Sequence, residues 1–216
     1  MNMITTVRPG AVDWTGDNPF IYLKADPAGD WSALALYFRI GLSPHGVGQA
    51  MLILEAPYEA GRTDANRFVL TDNLHMTRYL IEGFAKRFGL FRTCSQLLSD
   101  LRIVDDARFS CHDEGKGLHI QRAESAQAGL SAEMHWEGLQ RPFMATVPTD
   151  KTQTGMHEMY SVFQPAVSGW VSVNGNRVAG TTVERDFFGM RAASAALAFS
   201  ETWVSAADEQ GGACHE

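Results

Sequence analysis

Ser32-Ala33-Leu34-Ala35-Leu36-Tyr37-Phe38-Arg39-Ile40-Gly41, the turn Ser43-Pro44-His45-Gly46, and the return Gly48-Gln49-Ala50-Met51-Leu52-Ile53-Leu54-Glu55-Ala56 decide the fold class. In the first run Leu34, Leu36 and Phe38 fall on one face of an extended chain, and Ala35, Tyr37 and Arg39 on the other. That two-residue period is the mark of a strand. Proline and glycine punctuate the turn, and strands joined so closely pair antiparallel. Just upstream, Phe20-Ile21-Tyr22-Leu23-Lys24 is aromatic and β-branched and stops at Asp26-Pro27-Ala28-Gly29-Asp30, a strong turn signal. Three strands therefore form a meander. The residues before it, through Asn18-Pro19, are rich in turn formers and read as an irregular arm.

Beyond the meander the period changes. From Asn73 to Phe88 the apolar residues Met76, Leu80, Phe84 and Phe88 recur every four, with Thr77, Ile81 and Ala85 alongside. This is the stripe of an amphipathic helix. Thr71-Asp72 offers an N-cap, Gly89 a stop, and Lys86 and Arg87 suit the last turn. A second short helix starts at Thr93, where Thr93 and Gln96 fit a capping box ahead of Leu97, Leu98 and Leu101. Strand patterns return from Ile103: Arg108–His112, Leu118–Ala123, Ser131–Trp136, Pro142–Val147 and Met159–Gln164. The clearest hairpin joins Gly169–Val173 to Asn176–Val183 through Asn174-Gly175, which tolerates the positive φ angles of a type I′ turn. Ala195–Val204 alternates as a strand although its alanines favour helix, and is read as a strand. The expected fold is mainly β (α+β): an antiparallel barrel or curved sheet with one helical insert around residues 71–101. Residues 1–205 form a single domain, and residues 206–216 a flexible tail.

The chain has 216 residues, enough for one domain with a substantial core. Its 18 Lys+Arg against 25 Asp+Glu, a formal charge of -7, come without any basic cluster. Nucleic acid and anionic membrane surfaces are therefore disfavoured as partners. Cys94, Cys111 and Cys214 are odd in number and widely spaced, so no disulfide framework is implied. The start, Met1-Asn2-Met3-Ile4-Thr5-Thr6, lacks a basic region followed by an apolar one. No apolar run approaches the roughly 20 residues that span a bilayer. A cytoplasmic location with reduced thiols is the expectation.

No Walker loop, GxGxxG, GxSxG or HExxH motif is present, so neither a cofactor nor a metal is expected, with a metal site assembled from distant strands as the alternative. The seven histidines are scattered. The richest stretch is Val173-Asn174-Gly175-Asn176-Arg177-Val178-Ala179-Gly180-Thr181-Thr182-Val183-Glu184-Arg185-Asp186-Phe187-Phe188-Gly189. Here a hairpin leads into three charges, two aromatics and a glycine. Apolar walls with a few fixed polar groups are what a ligand site needs; a solvated charged rim above two core phenylalanines is the plainer alternative. This stretch resembles the hairpin and aspartate-aromatic-glycine corner of the carotenoid 1,2-hydratase and AttH-like group of lipocalin-like barrels. The match is Asp186 and Gly189 within a D-H-x-W-G corner whose histidine and tryptophan are absent here. The resemblance implies an apolar polyene, terpene or aromatic ligand, and acid-assisted addition or loss of water.

Three residues are candidates for moving a proton. Asp186 opens the aromatic corner, and alternation places Glu184 and Asp186 on one face with Arg185 on the other. Glu201 lies between Phe199 and Trp203 on what a regular strand makes a single apolar face. It is either a site residue or the partner of Arg185 or Arg191, because a lone buried carboxylate is costly. His135 sits beside Trp136 on a strand, one of the two facing inward. Candidate ligand contacts are Phe187, Phe188, Trp203, Trp136, Tyr160 and His157. Cys94 lies at a helix start but has no base beside it. The leading expectation is a cofactor-independent lyase, hydratase or isomerase acting on a small hydrophobic metabolite. The alternatives are a non-catalytic binder of the same ligands, or an interaction subunit docking through helix 73–88. A homodimer is left open.

Overall fold

A computed structural model describes residues 12–205, apart from Glu114 and Lys116. The expected tail, and residues 1–11 of the expected arm, lie outside the described residues. Five strands open the chain: β1 (Val12–Asp17), β2 (Phe20–Leu23), β3 (Ala33–Leu42), β4 (Gly48–Glu55) and β5 (Arg67–Thr71). The insert follows as α1 (Leu74–Gly83), a 3₁₀ turn (Ala85–Arg87), α2 (Gly89–Arg92) and α3 (Ser95–Ser99). Next come β6 (Arg102–Val104), β7 (Arg108–Asp113), β8 (Leu118–Ser125), β9 (Leu130–Glu137), β10 (Phe143–Val147) and β11 (His157–Pro165). The chain closes with β12 (Ser168–Val173), β13 (Asn176–Arg177), β14 (Glu184–Phe187), β15 (Met190–Ala193) and β16 (Ala195–Ser205). The protein is mainly β, as its alternation requires.

A nine-stranded sheet runs in the order β10-β11-β16-β1-β3-β4-β5-β6, with β2 also lying between β16 and β3. All its pairings are antiparallel except β5 with β6, which are parallel across the helical insert. Among the described strands no pairing joins β10 to β6. A second sheet has the order β13-β12-β9-β8-β7, and β14 and β15 form a separate hairpin. The large sheet is covered on both faces. On one, Leu34, Leu36, Phe38 and Leu52 meet the helices and the β14–β15 hairpin. On the other, Ala35, Tyr37, Met51 and Ile53 meet Met134, Trp136 and Val171 of the five-stranded sheet. Burial on both faces is why β3 and β4 are almost continuously apolar.

Residues 12–17, expected as part of an irregular arm, form β1. The turn formers there have other uses. A Cβ at Gly16 would overlap the Arg39 carbonyl of β3, and Asn18 and Pro19 form the short break before β2. The Asn174-Gly175 turn has the expected positive φ angles, 49° and 77°. Its second strand is shorter than expected, ending at Arg177.

The helix also differs from its expectation. Asn73, rather than Thr71-Asp72, caps α1, its Oδ1 accepting from Met76 N at 3.0 Å. Asp72 Oδ1 instead accepts from Gln49 N at 2.6 Å, tying the helix start to β4. The helix stops at Gly83, a poor helix former, and Phe84 turns out of helical geometry. Gly89, expected as a stop, begins α2. Cys94 caps α3 with no side-chain bond, so the Thr93 capping box does not form. Met76, Leu80, Ile81 and Phe84 are buried against the sheet, so the chain's own core occupies the stripe. Among the described residues no helix is long and apolar enough to cross a membrane.

Phe84 packs edge-on against Trp14 at 5.6 Å and Trp203 at 5.4 Å between ring centres. Phe84→Ala is expected to lower unfolding stability by about 3–5 kcal/mol in urea denaturation, the range for a buried phenylalanine. A loss below about 1 kcal/mol would show that the insert does not seal this core.

Candidate functional site

A cavity of about 160 Å³ lies between the large sheet, the helical insert and the β14–β15 hairpin. Its walls are aromatic: Phe20 and Tyr22 from β2, Phe88 and Phe91 from the insert, Phe163 from β11, Trp203 from β16, and Phe187 and Phe188 from the hairpin. Phe187 packs against Phe163 and Phe20 at 5.0 and 5.6 Å. Phe188, 47% exposed, and Lys151 mark the mouth. Phe188 and Gly189 both have positive φ, 53° and 78°, so the aspartate-aromatic-glycine corner is a tight turn. A phenylalanine in that conformation is strained. Its ring packs 5.1 Å from that of Phe163.

Glu201 stands in the cavity wall, 3% exposed. Its place depends on a β-bulge. Upstream in β16, Ala196 and Ala198 face the cavity-side core, while Leu197 and Phe199 pack with the other. Regular alternation would send Glu201 and Trp203 after Phe199. Instead the pairing with β11 shifts between Tyr160↔Thr202 and Val162↔Phe199. On the other side, Gly16 pairs with Glu201 but Asn18 N donates to Ala198 O. Both neighbours thus register one extra residue in β16. Ser200 is exposed with φ 50°, and its N–H donates to Asp17 Oδ1 at 3.1 Å. The bulge re-aims the strand, as bulges do beside functional sites. Glu201 and Trp203 share a face as expected; Phe199 lies on the opposite one.

Glu201 Oε1 accepts from Trp203 Nε1 at 2.7 Å and from Asn18 Nδ2 at 3.1 Å. Among the described residues no group donates to Oε2. No arginine pairs with Glu201 among the described residues; Arg191 is taken by Glu184. Burial pushes the carboxyl up to about 7, with the Trp203 and Asn18 bonds opposing and the Asp17 charge adding. A carboxyl poised near neutrality, with one oxygen free, can give or take a proton there. Beside it, burial drives the Tyr22 phenol well above its ordinary range, against the pull of Arg185, so Tyr22 stays a neutral hydroxyl.

The other expected residues divide between cavity and scaffold. Phe187, Phe188 and Trp203 line the cavity. Asp186 does not: Arg185 and Phe187 take the cavity side of β14, leaving Asp186 exposed with its Oδ1 accepting from Gly189 N at 3.4 Å. His135 and Trp136 belong to the five-stranded sheet, across the large sheet from the cavity. His135 stacks on Trp170 at 3.5 Å and meets Glu133 at 3.0 Å, and Trp136 is fully buried in the second core. Tyr160 lies on the face of β11 opposite Met159 and Phe163, the cavity-lining residues. His157 is buried behind Trp203, 5.9 Å between rings, with Nδ1 on Thr154 Oγ1 at 3.0 Å. Burial lowers its pKa, opposed by Asp13. Cys94 is buried and its thiol is raised to about 11 by burial, so it is not a reactive thiolate.

Asn18, Tyr22 and Arg185 were not expected at the site. Trp14, Gly16, Asn18, Phe20 and Tyr22 fall on one face through β1 and β2, and that even spacing was the available signal. Among the described residues, no group of three or more His, Cys, Asp or Glu side chains is arranged to hold a metal ion. Compared with family models, curated proteins and solved structures, the chain matches none.

The raised carboxyl has a consequence for stability. Folded Glu201 holds its proton more tightly than the unfolded chain, whose carboxyl titrates near 4.5. Its contribution is fully present below that pH and is lost as pH rises to about 7, for a total of roughly 3 kcal/mol. Glu201→Gln keeps both bonds to Oε1 and removes the titration. The variant is expected to gain stability over the wild type at pH 8 and to match it near pH 4.5, by urea denaturation. An equal difference at both pH values would contradict the buried-acid assignment.

Proposed function

We propose that the chain is a cofactor-independent enzyme of lyase, hydratase or isomerase type that moves a proton on a small apolar metabolite held in this cavity. The observation that carries the reading is Glu201: a buried carboxyl, one oxygen uncommitted, facing an aromatic cavity of about 160 Å³. A closed cavity of about that size accommodates a benzene ring, and here the mouth lets a longer body extend past Phe188. In the forward step protonated Glu201 gives its proton to a carbon–carbon double bond. The positive charge left on carbon faces the π-systems of Tyr22, Phe163 and Trp203, which stabilise cations. Water then adds and its surplus proton returns to the carboxylate; alternatively a neighbouring C–H gives its proton back and the double bond has moved. Either sequence regenerates the acid.

The resemblance of residues 173–189 to the carotenoid 1,2-hydratase and AttH-like group belongs to this proposal. It is supported by the position of the corner, whose Phe187 and Phe188 line the cavity. A lipocalin-like wall is part of the same reading, with the sheet curving around its ligand. Proton transfer is assigned to Glu201 because Asp186 faces solvent and His135 lies across the sheet.

The test uses ligand that copurifies with the protein, identified by mass spectrometry and returned to purified protein in D₂O. Wild type is expected to place one non-exchangeable deuterium per turnover, and Glu201→Gln to slow this by at least about 10²-fold. Retention of the ligand with no deuterium incorporation by wild type would establish a binder instead.

A further inference from the structure

We infer that the ligand carries a carboxylate, bound by Arg185 in the cavity wall. This rests on the reading of the cavity as a ligand site, and adds the chemical class of what it takes. Alternation in β14 sends Arg185 and Phe187 inward and Glu184 and Asp186 outward. The two carboxylates nearest in sequence are thus turned away, and both are engaged: Glu184 with Arg191, Asp186 with the Gly189 amide. Arg185 itself makes one hydrogen bond, from Nε to the Asp186 carbonyl at 3.2 Å. Its guanidinium lies over the Tyr22 ring at 5.8 Å. Among the described residues no carboxylate pairs with it and its Nη groups have no acceptor.

A half-buried cation without a counterion is unfavourable unless something completes it. The vacant Nη fork is planar and two-pronged, the geometry that takes a carboxylate in paired hydrogen bonds. Stacking on Tyr22 holds that fork beside the cavity. Lys151, also lining the mouth, is paired with Asp150 at 3.6 Å, which leaves Arg185 as the unpaired cation of the cavity lining, in a chain whose formal charge is -7. One guanidinium balances one negative charge, which favours a carboxylate over a phosphate dianion.

The other end of the ligand is defined too. Asn18 lines the same cavity, and its Oδ1 is buried without a partner. With Glu201 Oε2 also free, that region can accept from a hydroxyl or water at the reacting carbon. Tyr22 lines the same cavity as Arg185 and Glu201, with the guanidinium over its ring. The ligand is therefore an apolar body with a carboxylate at the Arg185 end and its reacting position at the Glu201 end.

Isothermal titration with 2-naphthoate and 2-naphthamide, which share a shape and differ in charge, tests this. Wild type is expected to prefer the naphthoate by at least about tenfold, as one charge-assisted contact provides. Arg185→Gln should bring the ratio near one, Arg185→Lys should keep part of it, and high salt should shrink it in wild type. Binding of both probes with equal affinity to wild type would overturn the carboxylate inference and leave the cavity reading standing. A preference that survives Arg185→Gln would overturn the role of Arg185. Binding of neither probe would overturn the inference together with the ligand-site reading beneath it.

Discussion

The extra residue in β16 decides which side of the large sheet each later side chain of that strand meets. Up to Phe199 the odd positions pack with the second core; after Ser200 they face the cavity. The bulge is held where Ser200 donates to Asp17 and where Asn18 bonds Ala198 on one side of it and Glu201 on the other. The short break between β1 and β2 is thus the bulge's partner. Were Ser200 instead absorbed into regular alternation, the Glu201 carboxyl would point into a core built of Met134, Trp136 and Val171, while Trp203 would leave its stack with Trp14 and Phe88.

A sheet buried on both faces makes this arrangement sustainable. Both cores are anchored on β2 to β4, whose side chains alternate between them, and Phe20, Tyr22 and Leu36 carry the cavity-side core into the site wall. The site itself holds several unfavourable features close together: a buried acid, a phenylalanine at positive φ, a serine at positive φ, a lone guanidinium and an unpaired amide oxygen. Local strain and unpaired polar groups tend to gather where a protein acts. The β14–β15 hairpin contributes the mouth and the cation but touches the large sheet mainly through aromatic side chains.

Much of the architecture was legible because two-residue alternation and the Asn174-Gly175 turn are local signals. The strand character of Ala195–Val204, and the shared face of Glu201 and Trp203, could be read directly. Phe199 could not be placed, because a serine gives no sign of the positive φ that makes a bulge; a glycine there would have. Alternation also placed Glu184 and Asp186 together and Arg185 opposite. It fixes only relative sides, however, and cannot say which side meets the core. That ambiguity exchanged the roles of Asp186 and Arg185. β1 was hidden because Gly16, Asp17, Asn18 and Pro19 look like a turn by composition, while three of them serve as a close-approach point, a bulge anchor and a site residue. Of His135 and Trp136 one was expected to face inward, and Trp136 does, but towards the other core.

The bulge delivers Glu201 into an aromatic cavity that keeps it protonated close to neutral pH. The most direct test is a ¹³C NMR titration of the side-chain carboxyls, with the Glu201 resonance assigned by its loss in Glu201→Gln. A midpoint near 7 is expected for that carboxyl. A midpoint at or below about 4.5, the value of an ordinary solvated glutamate, would contradict it.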